Sequence, residues 1–181
     1  VGTGHIYGAE FTWAGRSITA IPFIQDSIES YFDADGNSLR KTFLKAPLRF
    51  SRISSRYSSN RLHPVLRIRR PHYGVDYAAP VGTPVQAIGD GRITFAGTEN
   101  GAGRMVKITH NSVYSTAYLH LSAFGKGIYP GAMVRQGDII GYVGSSGLTS
   151  GPHLDFRFYK NGSPVDPLTV EAPPVEPVSE A

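Results

Sequence analysis

Residues 83–119 read TPVQAIGDGRITFAGTENGAGRMVKITHNSVYSTAYL. Four short β-type runs lie in this stretch: Thr83–Ile88, Arg92–Phe95, Met105–Thr109 and Ser115–Leu119. Gly-rich turns separate them, and strand-length runs punctuated in this way predict antiparallel strands of a barrel or sandwich. The whole chain of 181 residues carries 21 Gly and 13 Pro, both of which interrupt long helices. The predicted fold class is therefore all-β, a Gly-rich antiparallel sheet closing into a barrel-like domain.

The dense series of β signals extends outward from this stretch over residues 47–170, which predicts one main domain. Residues 1–46 mix aromatics with turn residues and are read as a small accessory β segment, part of a truncated domain. Within it, Asp33, Asp35 and Asn37 are spaced like the start of a calcium loop, but no acidic residue follows where the bidentate Glu should stand. Asp35-Gly36 is read instead as a hairpin turn. Residues 171–181, with three prolines and three glutamates, are read as a flexible tail.

Composition bounds the function. An apolar content of 40% supports a real core, and the absence of Cys excludes disulfides and thiolate metal sites. A net charge of +4 suits either plain solubility or an anionic partner. Arg67, Arg69 and Arg70 cluster without stacking aromatics, so no nucleic-acid partner is expected. No apolar run reaches the roughly 18–20 residues of a membrane span, and no signal peptide is visible. With Val1 at the start, the chain is expected to be a mature or trimmed fragment.

A faint repeat places Val85 and Val134 ahead of the pairs Gly89-Asp90 and Gly137-Asp138. Biotinyl and lipoyl carrier barrels use similar turns, but they present a Lys after Met, and neither Met105 nor Met133 is followed by Lys.

Three clusters carry chemistry. His72 and Asp76 flank Gly74, and an extended chain would turn residues 72, 74 and 76 the same way, leaving space over the glycine for two ligands to close on one metal. His153 and Asp155 stand two apart on a predicted strand and share a face. Tyr118 and His120 do the same, with Leu119 and Leu121 expected on the opposite face.

Taken together these clusters resemble the lysostaphin-type, or LytM-like, zinc endopeptidases of bacterial cell walls. The likeness rests on HYGVDYAAPVGTPVQAIGDGRI (72–93), VKITHNSVYSTAYLHL (106–121) and VRQGDIIGYVGSSGLTSGPHLDFRF (134–158), with RLHPVL (61–66) and NGSPVDPL (161–168) at the edges. It covers about residues 47–170. It implies a groove domain of the duplicated hybrid motif type and one Zn2+, with other divalent metals able to replace it. Peptidoglycan is the implied partner, and hydrolysis of peptide bonds in its stems or cross-bridges the implied activity. A monomer in the bacterial cell envelope, periplasmic or secreted, is expected. His72, Asp76 and Asp155 are the implied metal ligands. His120 is implied to orient water or stabilise an oxyanion, and His153 to act as general base. Arg61, His63 and Tyr118 are expected to touch substrate. His110 is left as structural, and His5 lies outside the likeness.

One position departs from the family pattern: Asp155 stands where the resemblance implies a second His. Two carboxylates and one imidazole around a dication sum to a formal charge of zero, against +1 for two imidazoles and one carboxylate. The more neutral set should activate water less and lean toward harder metals. Arg157 is read as lying on the opposite strand face, too far round to neutralise Asp155. Asp155→His is expected to tighten zinc. The rival reading is a catalytically inactive peptidoglycan-binding or amidase-activating module. His72, Asp76, His120 and His153 are all present, which favours the enzyme.

Overall fold

The structure, a computed structural model, describes residues 9–13, 16–25, 28–32 and 43–170. Among them every regular element is a strand, as the sequence predicts. The chain divides into two compact units, one formed by residues 43–170.

In the other unit, β1 (Ala9–Trp13), β2 (Arg16–Gln25) and β3 (Ile28–Phe32) form an antiparallel meander. Its register sets Trp13 opposite Arg16 and Gln25 opposite Ile28. The Asp33–Asn37 turn, His5 and the tail lie outside the described residues.

The main unit begins at Phe43, so residues 43–46, assigned from sequence to the N-terminal segment, belong to it. Phe43 is buried edge-on against His110, Tyr114 and Phe158. The unit's strands are β4 (Arg52–Ser55), β5 (Ser58–Leu62), β6 (Arg69–His72), β7 (Val75–Ala78), β8 (Pro84–Gln86), β9 (Gly91–Glu99), β10 (Gly103–Thr109), β11 (Tyr114–Phe124), β12 (Met133–Val134), β13 (Ile139–Val143), β14 (His153–Lys160) and β15 (Ser163–Val165). Ten of them form one sheet with the path β12-β9-β10-β11-β14-β7-β4; β13 branches from β11 to reach β8, and β15 pairs with β14. β5 and β6 form a separate hairpin. The Val85 and Val134 echo resolves into two buried core positions.

Alternation on β7 and β14 positions the site. Val75, Tyr77, Leu154, Phe156 and Phe158 enter the main core. Burying a side chain of this size contributes roughly 1.5–3 kcal/mol, and a one-residue slip would expose all of them. The opposite face is thereby fixed, and it carries Asp76, His153, Asp155 and Arg157.

β11 breaks the alternation. Arg104 pairs with Leu121 while Val106 pairs with Tyr118, so Leu119 and His120 together oppose Met105. This is a β-bulge, and His120 takes a left-handed φ of 64°. The bulge corrects the sequence expectation: Tyr118 and Leu121 face the core, while Leu119 and His120 face the groove.

Candidate metal centre and groove

A groove of about 630 Å3 runs between the β5–β6 hairpin, the segment Leu148–Pro152 and the faces of β7 and β14. At its floor, His72 at the end of β6, Asp76 on β7 and Asp155 on β14 each offer one ligand atom, all within 4.8 Å of one another. All three residues are buried. His72 Nδ1 lies 3.2 Å from the carbonyl oxygen of Arg56. A carbonyl only accepts, so Nδ1 carries the hydrogen and Nε2 turns inward.

His72 Nε2 lies 3.0 Å from Asp76 Oδ1 and 3.7 Å from Asp155 Oδ2. Even so, neither Nε2 nor Asp76 Oδ1 makes a hydrogen bond. Buried polar atoms left without partners are costly, and here they converge on one point. One imidazole nitrogen and two carboxylate oxygens suit a divalent ion such as zinc, with room for a further ligand on the groove side. Burial alone would depress His72, but the Asp155 and Asp76 carboxylates outweigh it and raise the imidazole to about 9. The place is built for positive charge, whether proton or metal.

Two arginines back the carboxylates. Arg61 Nη1 donates to Asp76 Oδ2 at 2.8 Å and to Ser55 Oγ at 2.7 Å. Arg157 donates from Nε to Asp155 Oδ1 and Oδ2 at 3.2 and 3.3 Å, and from Nη2 to Oδ2 at 2.9 Å. This corrects the expectation for Arg157: two residues apart on β14, it and Asp155 share a face. Burial would raise the Asp155 carboxyl, but His72 and Arg157 hold it well below the usual carboxylate range.

His120 and His153 stand beside the ligands, their rings 4.9 Å apart and tilted by 55°. His120 Nδ1 donates to the Ser146 carbonyl at 2.7 Å, and His153 Nδ1 to the Gly151 carbonyl at 2.9 Å. When neutral, both therefore carry an unprotonated Nε2. His153 Nε2 is 3.8 Å from Asp76 Oδ1. Burial lowers the His120 imidazole and so favours the neutral ring, partly offset by its bond to Ser146. Ser146 Oγ accepts from Arg104 N at 2.9 Å and donates to the Leu121 carbonyl at 2.7 Å, tying down both sides of the bulge.

The residues expected to meet substrate divide. His63 lines the groove, and its Nδ1 accepts from the amides of Val65 and Leu66, so Nε2 carries the hydrogen. Arg61 also lines the groove but is committed to Asp76. Tyr118 is fully buried; its hydroxyl accepts from Ile88 N at 3.1 Å and contacts Thr116 Oγ1, and burial pushes it up to about 12. Its expected role in substrate contact is therefore corrected to a core role. His110 bridges the Asp90 carbonyl and Thr116 Oγ1 within the fold, in keeping with a structural residue. Sequence reading missed Arg157 and Ser146; only the period-two pairing of Arg157 with Asp155 could have revealed the first.

Comparison with known proteins bears on this geometry. A family model described as Peptidase family M23 matches residues 70–167. The chain is 41% identical, over 96% of its own length, to a Vibrio cholerae protein named peptidoglycan DD-endopeptidase ShyC. It is 46% identical, over 80% of its length, to a Neisseria meningitidis protein named DD-carboxypeptidase/endopeptidase Mpg. The chain covers only 39% and 33% of those two relatives. Among solved structures it matches a zinc-containing peptidase from Vibrio cholerae with TM-score 0.68 and 33% identity, over 93% of this chain and 51% of that one. It also matches the catalytic domain of lysostaphin from Staphylococcus simulans with TM-score 0.58 and 34% identity, over 65% of this chain and 90% of that one.

Proposed function

Because this chain belongs to peptidase family M23, we propose that it is the catalytic part of a zinc-dependent endopeptidase that hydrolyses peptide bonds in bacterial peptidoglycan stems or cross-bridges. The observation that carries the proposal is the convergence of His72, Asp76 and Asp155 within 4.8 Å, beside two histidines whose Nδ1 atoms are tied to carbonyls.

His72 Nε2, one oxygen of Asp76 and Asp155 Oδ2 would hold the ion. Bound there, a divalent cation supplies Lewis acidity, polarising a carbonyl and making water nucleophilic near neutral pH. His153 Nε2 takes the proton from the attacking water. It returns that proton to the amine nitrogen as the peptide bond breaks. His120, kept neutral by burial, orients the water by accepting a hydrogen bond at Nε2. His63 offers its Nε2–H at the groove edge, and exposed Arg70 on the same wall presents a cation to the carboxylates of stem peptides.

The chain is read as a monomer. A peptidoglycan substrate implies work in the cell envelope, periplasmic or secreted. Among the described residues, no helix is long and apolar enough to cross a membrane.

The test is release of new amino groups from purified peptidoglycan by zinc-loaded protein and by protein stripped with a chelator. Release that needs the metal is expected. Binding to peptidoglycan without release, at full zinc loading, would favour the inactive module.

A further inference from the structure

We infer that Arg157 is a positioning residue which makes an aspartate usable as the third metal ligand, so that Asp155 and Arg157 work as one unit. The inference rests on the reading of His72, Asp76 and Asp155 as the ligand set.

Asp155 and Asp76 are direct partners in the β14–β7 register, and both are buried. Like charges placed directly opposite repel, and burial strengthens the repulsion. An untethered Asp155 carboxylate would rotate away from Asp76, and so away from the point that His72 Nε2 faces. Arg157 opposes that rotation through contacts to both oxygens. A fork of this kind fixes the carboxylate plane as well as its charge. Oδ2 receives two of the three contacts, one of them only the longer arm of a bond that Nε shares with Oδ1, and in this held position it lies 3.7 Å from His72 Nε2.

Gly74 is part of the same arrangement. A Cβ there would collide with Asp155 Oδ1 and lie 2.9 Å from Arg157 Cγ. The pair thus occupies space that only a glycine leaves open.

The arginines also alter the charge argument raised by the sequence. A dication with two carboxylates sums to zero, and Arg61 and Arg157 add one positive charge each. The surroundings are then more electron-withdrawing than the bare His-Asp-Asp set, which favours retained Lewis acidity. Arg61 reaches Asp76 through one nitrogen only, whereas Arg157 holds both oxygens of its partner. Positioning by the fork is therefore specific to Asp155.

The test is zinc affinity of the full chain, measured by competition with a chromophoric chelator. It compares wild type, Arg157→Gln, Arg157→Lys and Asp155→Ala, with the unfolding midpoint of each metal-free protein as a control. Loss of a residue that orients a metal ligand weakens binding by about 10- to 100-fold, and that is the loss expected for Arg157→Gln. Arg157→Lys keeps the charge without the fork and should lose nearly as much. If Arg157→Gln does not fold, Arg157→Lys decides alone. Zinc affinity within about threefold of wild type in the folded arginine variants, with affinity lost in Asp155→Ala, would overturn the inference while leaving the ligand set intact. Affinity unchanged in Asp155→Ala would instead overturn the ligand set.

Discussion

Asp76 and Asp155 face each other directly across the β7–β14 ladder, both buried, with His72 Nε2 3.0 Å from an oxygen of the first and 3.7 Å from an oxygen of the second. Two carboxylates so placed require positive charge, and Arg61 and Arg157 supply it from behind. Nε2 and Oδ1 make no hydrogen bond as they stand, and a positive charge between them, proton or metal, satisfies both. Zinc should therefore stabilise the folded chain. At free zinc about 1,000-fold above Kd, the gain is about 4 kcal/mol. Thermal unfolding in chelator and in excess zinc measures it, and identical midpoints would remove the site from the fold's energetics.

Zinc affinity should rise with pH. The metal takes the unprotonated Nε2, and in the metal-free chain His72 holds its proton up to about pH 9. Below that value one proton must leave for each ion bound, so apparent affinity should climb about tenfold per pH unit and level off near pH 9. The same shift has the opposite sign in the metal-free chain. A raised imidazole stabilises the fold fully below the ordinary value of 6.5, and the benefit is lost as pH rises through about 9. Calorimetric titration in buffers of different ionisation heat would count the proton. Release of none at pH 7 would contradict the assignment.

Gly74→Ala should damage the metal site from outside the ligand set. The added Cβ collides with Asp155 Oδ1 and lies 2.8 Å from the Phe156 carbonyl oxygen, a backbone atom that cannot step aside cheaply. Overpacking of this kind costs about 1–3 kcal/mol. Asp155 must also turn, so zinc affinity should fall along with stability. An alanine variant with wild-type affinity would mean that the carboxylate has room the structure does not show.

His153→Ala should separate catalysis from binding. The imidazole lies beside the proposed ligands and outside that set, so bound zinc should stay nearly unchanged. Loss of a general base costs about 100- to 10,000-fold in rate. Amine release from peptidoglycan under matched zinc loading measures the loss. Equal activity in variant and wild type would move the base elsewhere, with His120 the next candidate.

The fold and most of the floor of the site were legible because strands write their faces in steps of two. Leu154, Phe156 and Phe158 alternate with His153, Asp155 and Arg157, and the core takes the apolar set. Three details escaped for definite reasons. The bulge at Leu119 and His120 adds one residue to β11 and reverses the faces beyond it, and no turn residue marks it; its signature is a left-handed φ at a histidine. Tyr118 consequently looked like a groove residue when it belongs to the core. Arg157 was misread against the same period that placed Asp155 correctly.

Asp155→His tests whether position 155 can change alone. From sequence, that substitution should restore a two-histidine ligand set and tighten zinc. The structure argues otherwise, because an imidazole cannot accept the fork from Arg157. The guanidinium would remain charged beside a dication without its partner. Breaking a buried pair costs about 3–5 kcal/mol, and Arg157, whose side chain is 27% exposed, should lose less than that. The single variant should therefore be less stable than wild type when metal-free and should bind zinc no tighter. Asp155→His combined with Arg157→Gln removes the orphaned charge and should recover both properties. Chelator competition and metal-free unfolding on wild type, the two single variants and the double variant complete a cycle, and strong coupling between 155 and 157 is expected. Additive effects, or a single Asp155→His variant that binds zinc more tightly at unchanged stability, would show that Arg157 is a bystander.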